Sequence, residues 1–367
     1  MKKIKKAIYV CLIILGIMAV INILAWLSTD FSDFYTAHIF PPIMAAFSAV
    51  SGFFHFSVGE VMLKILTALI IIIIPSFVIL MIFRKKSRKK ISLCYCTTVL
   101  VILTYILTTE TMNCFIMYHC TKFSEKYFSS SQHNDKQLTE LYKILIDKSN
   151  ELSSDVTRDE NGRFVLTADL CKTAKSAMRN ISDTYPQLKG YYPDAKAIHS
   201  DFFMSQNSLL GIYFPFSFEA NYNPATYDIN LPNTVCHEYA HLKGIIQEDE
   251  AGFTAFIASV NSSSPEFQYS GYINALEYVY NQVYENKITS AYALTNTISD
   301  KVEADWFSFV PDNYWNDNKE KEIIPNKTVD TISNIASDTS LKLNGVEDGQ
   351  KSYSRIVDLL LDYYFNS

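Results

Sequence analysis

Residues Thr234–Phe253 read TVCHEYAHLKGIIQEDEAGF, and their spacing decides how the larger part of the chain folds. Pro232, just upstream, suits the first turn of a helix, and Gly244 suits a left-handed C-terminal cap. Between those stops His237 and His241 fall one turn apart on one helical face. Two imidazoles so placed can hold one Zn²⁺ in tetrahedral geometry, leaving positions for a further protein ligand and a water. Glu238 lies about 100° further round the helix, so its carboxylate can reach that water without ligating the ion. This is the H-E-x-x-H spacing, in which the glutamate acts as general base while hydroxide attacks a polarised carbonyl. A solvated helix carrying two exposed histidines satisfies the same spacing, and the downstream residues discriminate.

After Gly244 the run QEDEAGFTAFIAS opens another helix with Glu248, Asp249 and Glu250 in its first turn, where acids also suit the helix dipole. Glu248 shares a face with the small residues Ala251, Gly252 and Ala255, so that face can approach the histidine helix closely; Glu250 lies about 200° away, beside Thr254 and Ile257. The phase favours Glu248 as third ligand, with Glu250 as the alternative and Asp249, Gln247 or no acid behind it. In the longer H-E-x-x-H-x-x-G-x-x-H pattern the last position is a histidine. Here it is Gln247, a poor zinc ligand, which again directs the search to a carboxylate on the next helix. Cys236 reads as a small buried residue.

Upstream, Ala195–Ile229 is aromatic and β-branched with turn signals at Asn221, Asn223 and Pro224, and predicts two or three short strands. Gly211–Phe218 is a candidate edge for an extended substrate. Tyr269 and Tyr272 are candidate oxyanion donors, although tyrosines at helical spacing more often serve the core. Helical periodicity marks Gln137–Leu152, a segment starting at Thr167, Phe267–Glu285 and a terminal helix around Ser352–Phe365.

The first 109 residues differ chemically. They hold three acids against eleven Lys and Arg, leaving 35 acids and 21 bases, a net of −14, for the remainder. Ala7–Leu27 and Val61–Phe83 each reach the roughly 20 apolar residues that cross a bilayer, and the shorter, Thr-rich Ile91–Thr109 is the third expected span. The first run exceeds a signal peptide's apolar core of about 7–15 residues and no A-x-A-like site follows, which favours a retained anchor. Lys2, Lys3, Lys5 and Lys6 before span one, and the basic loop Arg84–Lys90 between spans two and three, place those ends in the cytoplasm and everything after Thr109 outside. Topology accounts for the bases, and an acidic outer domain repels phosphates, so nucleic acid is not an expected partner. Ile39–Gly59, apolar but interrupted by Pro41, Pro42 and His55, predicts an interfacial or re-entrant segment. Lys64 can snorkel, and no ion pathway is evident. Seven cysteines without an external C-x-x-C pair give no support for thiolate zinc or redox motifs, and leave room for one disulfide.

The stretches FHFSVGE, YFPFSFEANYN, CHEYAHLKG, EDEAGFTAFIAS, FQYSGYINALEY and LKLNGVEDGQKSYSRIVDLLLDYY together resemble the bacterial membrane-protein family called domain of unknown function 3810. That resemblance implies a zincin-like domain with His237 and His241 as ligands, Glu238 as base and the acid of EDEAGF as third ligand, and it draws Glu219 toward the site, although a solvated loop suits that residue better. The family's run after the acids resembles E-A-N-F, whereas Gly252 stands here in place of the asparagine.

The expected architecture is three transmembrane helices (residues 1–110) followed by a mostly α, α+β zincin-like extracytoplasmic domain (111–367) with a small sheet. The expected activity is zinc-dependent hydrolysis of peptide bonds, with the lipid bilayer and a peptide or protein substrate as partners. The rival is a catalytically inactive membrane sensor or partner-binding protein whose zinc is structural, marked by closed four-ligand coordination.

Overall fold

The computed structural model describes residues 2–343 and 355–366. The chain divides into two compact units, one of Met1–Cys120 with Phe214–Glu219, the other of Thr121–Tyr213 with Ala220–Ser367. The protein is mostly helical, with one three-stranded sheet among the described residues.

In the first unit the principal helices are α1 (Lys2–Leu27), α2 (Phe40–Ser51), α3 (Val58–Phe83) and α4 (Arg88–Glu110). The helical stretches Lys2–Leu27, Val58–Phe83 and Lys85–Tyr118 are each long and apolar enough to cross a membrane. Their large apolar side chains, such as Ile13, Ile71 and Ile82, point away from the protein. That arrangement is stable only where the surrounding solvent is itself apolar. Ser57 opens α3 by accepting from the Glu60 N–H (3.1 Å), and Pro75 sits inside the helix.

Ile39–Gly59 is interrupted not at its prolines but at residues 52–57, between α2 and α3. Pro41 and Pro42 occupy the first turn of α2, where a missing N–H costs nothing, and a π-helical turn, Tyr35–Ile39, leads in from the helix Thr29–Phe34. Ser32, Tyr35, Thr36, Phe40, Met44, Ser48 and Ser51 form one buried stripe along it. Helix α2 therefore packs Met44, Ser48 and Ser51 inward and leaves Phe47 and Val50 exposed.

Residues Phe214–Glu219 are held in this unit by their own contacts. The Glu219 carboxylate accepts from the Val58 and Gly59 N–H groups (3.0 and 2.7 Å), donors that the start of a helix otherwise leaves unpaired. Ser48 Oγ donates to the Phe218 carbonyl (2.8 Å), Asn113 Nδ2 to that of Pro215 (2.5 Å), and the Tyr105 hydroxyl to that of Phe216 (3.3 Å). Phe218 packs its ring against Phe40 and Phe47. Glu219 is thus buried and occupied as the cap of α3, which corrects both the solvated-loop reading and its assignment toward the histidines.

The second unit contains α5 (Asp135–Leu152), α6 (Leu170–Asn180), α7 (Leu231–Leu242), α8 (Glu248–Val260), α9 (Pro265–Glu285) and α10 (Ile356–Phe365). Asn134 and Gln137 form a capping box that starts α5, and Leu138, Leu141, Tyr142, Leu145 and Ile146 are its buried face. Helix α6 starts three residues later than its periodicity suggests, capped by Asp169. Thr167 instead donates its N–H and hydroxyl to Glu266 (3.0 and 2.5 Å). Residues Ser352–Ser354 of the expected terminal helix lie outside the described residues. The central pair is α7 against α8, the latter buried from Asp249 through Ser259.

The sheet is ordered β1 (Lys196–Ala197), β3 (Glu219–Tyr222), β2 (Gly211–Phe214), with β1 parallel to β3 and Lys196 opposite Asn221. Only four residues join β2 to β3, a connection too short for anything but an antiparallel hairpin. Strand β2 is an edge of this sheet. All seven cysteines are free thiols.

Candidate metal centre

Pro232 stands in the first turn of α7 as expected, and Gly244 follows its end with φ +80°. That left-handed residue reverses the chain, so the Ile245 N–H returns to the Ala240 carbonyl (3.2 Å). The same turn brings the Ile245 carbonyl to His241 Nδ1 (2.8 Å). The Nδ1 proton is thereby committed to the backbone, and Nε2 presents a lone pair on the opposite side of the ring.

Glu248, the first residue of α8, faces both imidazoles. Its Oε2 lies 3.0 Å from His237 Nε2 and 3.7 Å from His241 Nε2. One donor atom from each of His237, His241 and Glu248 lies within 4.8 Å of the other two. Donors about 2.0–2.1 Å from one tetrahedral zinc stand roughly 3.3 Å apart, so a small side-chain contraction completes the fit. The two rings are perpendicular, centroids 4.6 Å apart. His241 is buried, whereas the His237 and Glu248 side chains are 21% and 25% exposed, which leaves one side of the cluster open.

Small residues on α8 make this approach possible. A Cβ added at Gly252 would stand 3.9 Å from His237 Nδ1 and 3.0 Å from Ile356 Cδ1. The other acids of the run serve the fold. Glu250 accepts from the N–H and hydroxyl of Ser124 (2.8 and 2.6 Å), and Asp249 accepts from Arg355 Nε (2.8 Å). Glu250 therefore lies outside the group formed by His237, His241 and Glu248. Gln247 is the N-cap residue of α8.

Glu238 is 4% exposed, and its Oε2 has no hydrogen-bond partner. Strand β2 closes over it: a Cβ at Gly211 would stand 2.5 Å from Glu238 Oε1 and 2.7 Å from Thr234 Cγ2. Only glycine lets backbone approach the carboxylate this closely. The Asn223 N–H donates to the Leu210 carbonyl (2.7 Å), so by strand alternation the main-chain groups of Gly211 and Tyr213 point away from β3. The Tyr213 ring lies 6.1 Å from that of His241. Gly211→Ala is expected to cost about 1–3 kcal/mol by overpacking and to displace the Glu238 carboxylate. A denaturant titration checks the cost, and His237, His241 and Glu248 are untouched by the change.

The electrostatics follow from burial and proximity. Burial pushes Glu238 up to about 8; the His241 imidazole opposes this and the Glu248 carboxylate reinforces it. Burial works against charge on His241 too, but Glu248, Glu238 and the Ile245 carbonyl outweigh it and raise the imidazole to about 9. Burial and the neighbouring His241 lower His237 despite Glu248. Glu248 itself would be raised by burial, yet the two imidazoles hold it well below the usual carboxylate range. The arrangement combines three convergent metal donors with an acid poised near neutrality.

The other sequence candidates lie elsewhere. The Tyr269 hydroxyl donates to Asp305 Oδ2 (2.7 Å) within a buried Arg158–Asp305 pair, and Tyr272 packs its ring on Phe256. Cys236 is fully buried, its thiol pushed up to about 12 by desolvation. Tyr278 was not signalled by the sequence: burial, then the carboxylates of Glu277 and Glu248, push its phenol up to about 12. Gly211 did carry a signal, a glycine opening the strand GIYF.

The model of a family described as protein of unknown function DUF3810 matches residues 35–361. No curated protein and no solved structure matches the chain.

Proposed function

The chain belongs to the DUF3810 family of unknown function, and from its side-chain geometry we propose that it is a membrane-anchored, zinc-dependent metallopeptidase of zincin-like type. The observation that carries this reading is the convergence of His237, His241 and Glu248 beside a buried Glu238 that has an unpartnered oxygen. A buried, unsatisfied carboxylate oxygen costs about 1–3 kcal/mol or more, and at Glu238 it stands within electrostatic reach of His241 and Glu248.

His237, His241 and Glu248 would hold the ion. Zinc bound there supplies a Lewis acid and a coordinated water whose pKa falls to about 7. Glu238 takes the proton of the attacking water on its free oxygen and delivers it to the leaving amine. An extended peptide pairs with the outward main-chain groups of Gly211 on β2, which sets its carbonyl beside the cluster. Tyr278, still protonated at neutral pH, is the candidate donor to the developing oxyanion. The three apolar helices anchor the chain in a bacterial membrane, and the basic residues at Lys2–Lys6 and Arg84–Lys90 orient it with its amino terminus in the cytoplasm and the hydrolytic domain outside.

Purified full-length protein is expected to contain about one zinc per chain by elemental analysis. Glu248→Gln and His237→Ala should lose it, while Glu238→Gln keeps it. Folded wild-type protein that takes up no zinc would remove the basis of the proposal.

A further inference from the structure

A groove of about 610 Å³ runs between α1 and α4 in the first unit, lined by Lys3, Lys6, Val10 and Cys11 from one helix and Val101 and Thr104 from the other, among other residues. Its chemistry is lopsided. The hydroxyls of Thr104 and Thr108 donate into their own helix, to the carbonyls of Leu100 and Thr104 (2.7 Å each), and so turn methyl groups outward. The Tyr105 hydroxyl is taken by the Phe216 carbonyl. The lining is almost wholly apolar, so Lys3 and Lys6 contribute their stems to it, while their ammonium groups stand at exposed positions and have no ion-pair partner among the described residues. A ligand for this groove therefore needs a long apolar body and a negative charge at one end. Both helices are long and apolar enough to cross a membrane, so the ligand with that shape and charge at hand is a lipid of the surrounding bilayer.

We propose that this groove is a binding site for an anionic phospholipid, with an acyl chain along Val10, Cys11 and Val101 and the phosphate headgroup at Lys3 and Lys6. The inference is independent of the hydrolytic site, because every residue it uses lies in the first unit. It differs from general attraction of basic residues to a negative leaflet, which would weigh Lys2 and Lys5 equally with Lys3 and Lys6; Lys2 and Lys5 do not line the groove.

The test is retention of phosphatidylglycerol against phosphatidylcholine by the full-length chain, measured by native mass spectrometry from detergent. Each lysine near a membrane surface is worth about fivefold. The double variant Lys3→Gln/Lys6→Gln should lose about 30-fold of the preference for phosphatidylglycerol on that scale, while Lys2→Gln/Lys5→Gln leaves it unchanged. Val10→Trp, at a half-exposed position that tolerates bulk, should reduce bound lipid without altering charge. Equal losses in the two lysine pairs, or full retention in Val10→Trp, would overturn the site.

Discussion

Replacing Glu238 by glutamine is expected to lower peptide hydrolysis by about 10²–10⁴-fold, the range spanned by a positioned general base, while zinc content and thermal stability are maintained. Glutamine has the size of glutamate, so it fits under Gly211 as the native side chain does. It cannot accept a proton at neutral pH. Nor does the fold depend on the carboxylate, since it is buried with one oxygen already without a partner. The informative pair is therefore rate and stability together. A variant that hydrolyses peptide at the wild-type rate would show that Glu238 does not move the proton. A variant that unfolds would show that the carboxylate serves the core instead.

The largest expected stability change is at Asp305, far along the sequence from the metal cluster. Its carboxylate, 2% exposed, accepts from Arg158 Nη1 (2.9 Å), the Phe164 N–H (2.9 Å) and the Tyr269 hydroxyl (2.7 Å). Asp305→Ala strands a buried guanidinium and leaves a backbone N–H and a phenol unpaired, and breaking a buried pair in this way costs about 3–5 kcal/mol. The Arg163–Asp312 pair is the internal control: it is longer, 3.5 Å, and Asp312 is 84% exposed. Asp312→Ala should change stability by less than about 1 kcal/mol. Denaturant midpoints for the two variants, followed on full-length protein, separate the cases. Similar small shifts in both would mean that the Asp305 network is not a stabilising element.

Much of the fold was legible in the chain because its signals are local. The apolar runs, the Pro232 and Gly244 stops around α7, and the five-residue apolar face of α5 all depend on neighbours within a few residues. The same holds for His237 and His241, whose common face is fixed by helical pitch alone. Glu248 could be ranked above Glu250 because Ala251, Gly252 and Ala255 share its phase, and a Cβ at Gly252 would stand 3.9 Å from His237 Nδ1. Signals that depend on what a segment meets were read less well. Pro41 and Pro42 look like interruptions until the π-helical turn before them is known. Tyr269 looks like a donor until Asp305 is found beneath it. Glu219 looks like a solvated loop residue until the start of α3 is placed against it.

The sequence by itself determined the apolar helices, the order of the elements and the spacing of two imidazoles and a carboxylate on one helix, since each follows from composition or from the 3.6-residue turn. Tertiary structure alone decided that the Ile245 carbonyl takes the Nδ1 proton of His241, that Ser124 withdraws Glu250, that Gly211 closes over Glu238, and that Glu219 caps a helix some 160 residues earlier in the chain. These contacts join segments whose separation along the chain carries no periodic signal. They are selected by the need to pair buried polar groups and to fill space, and both requirements are met only when the packed elements are present together.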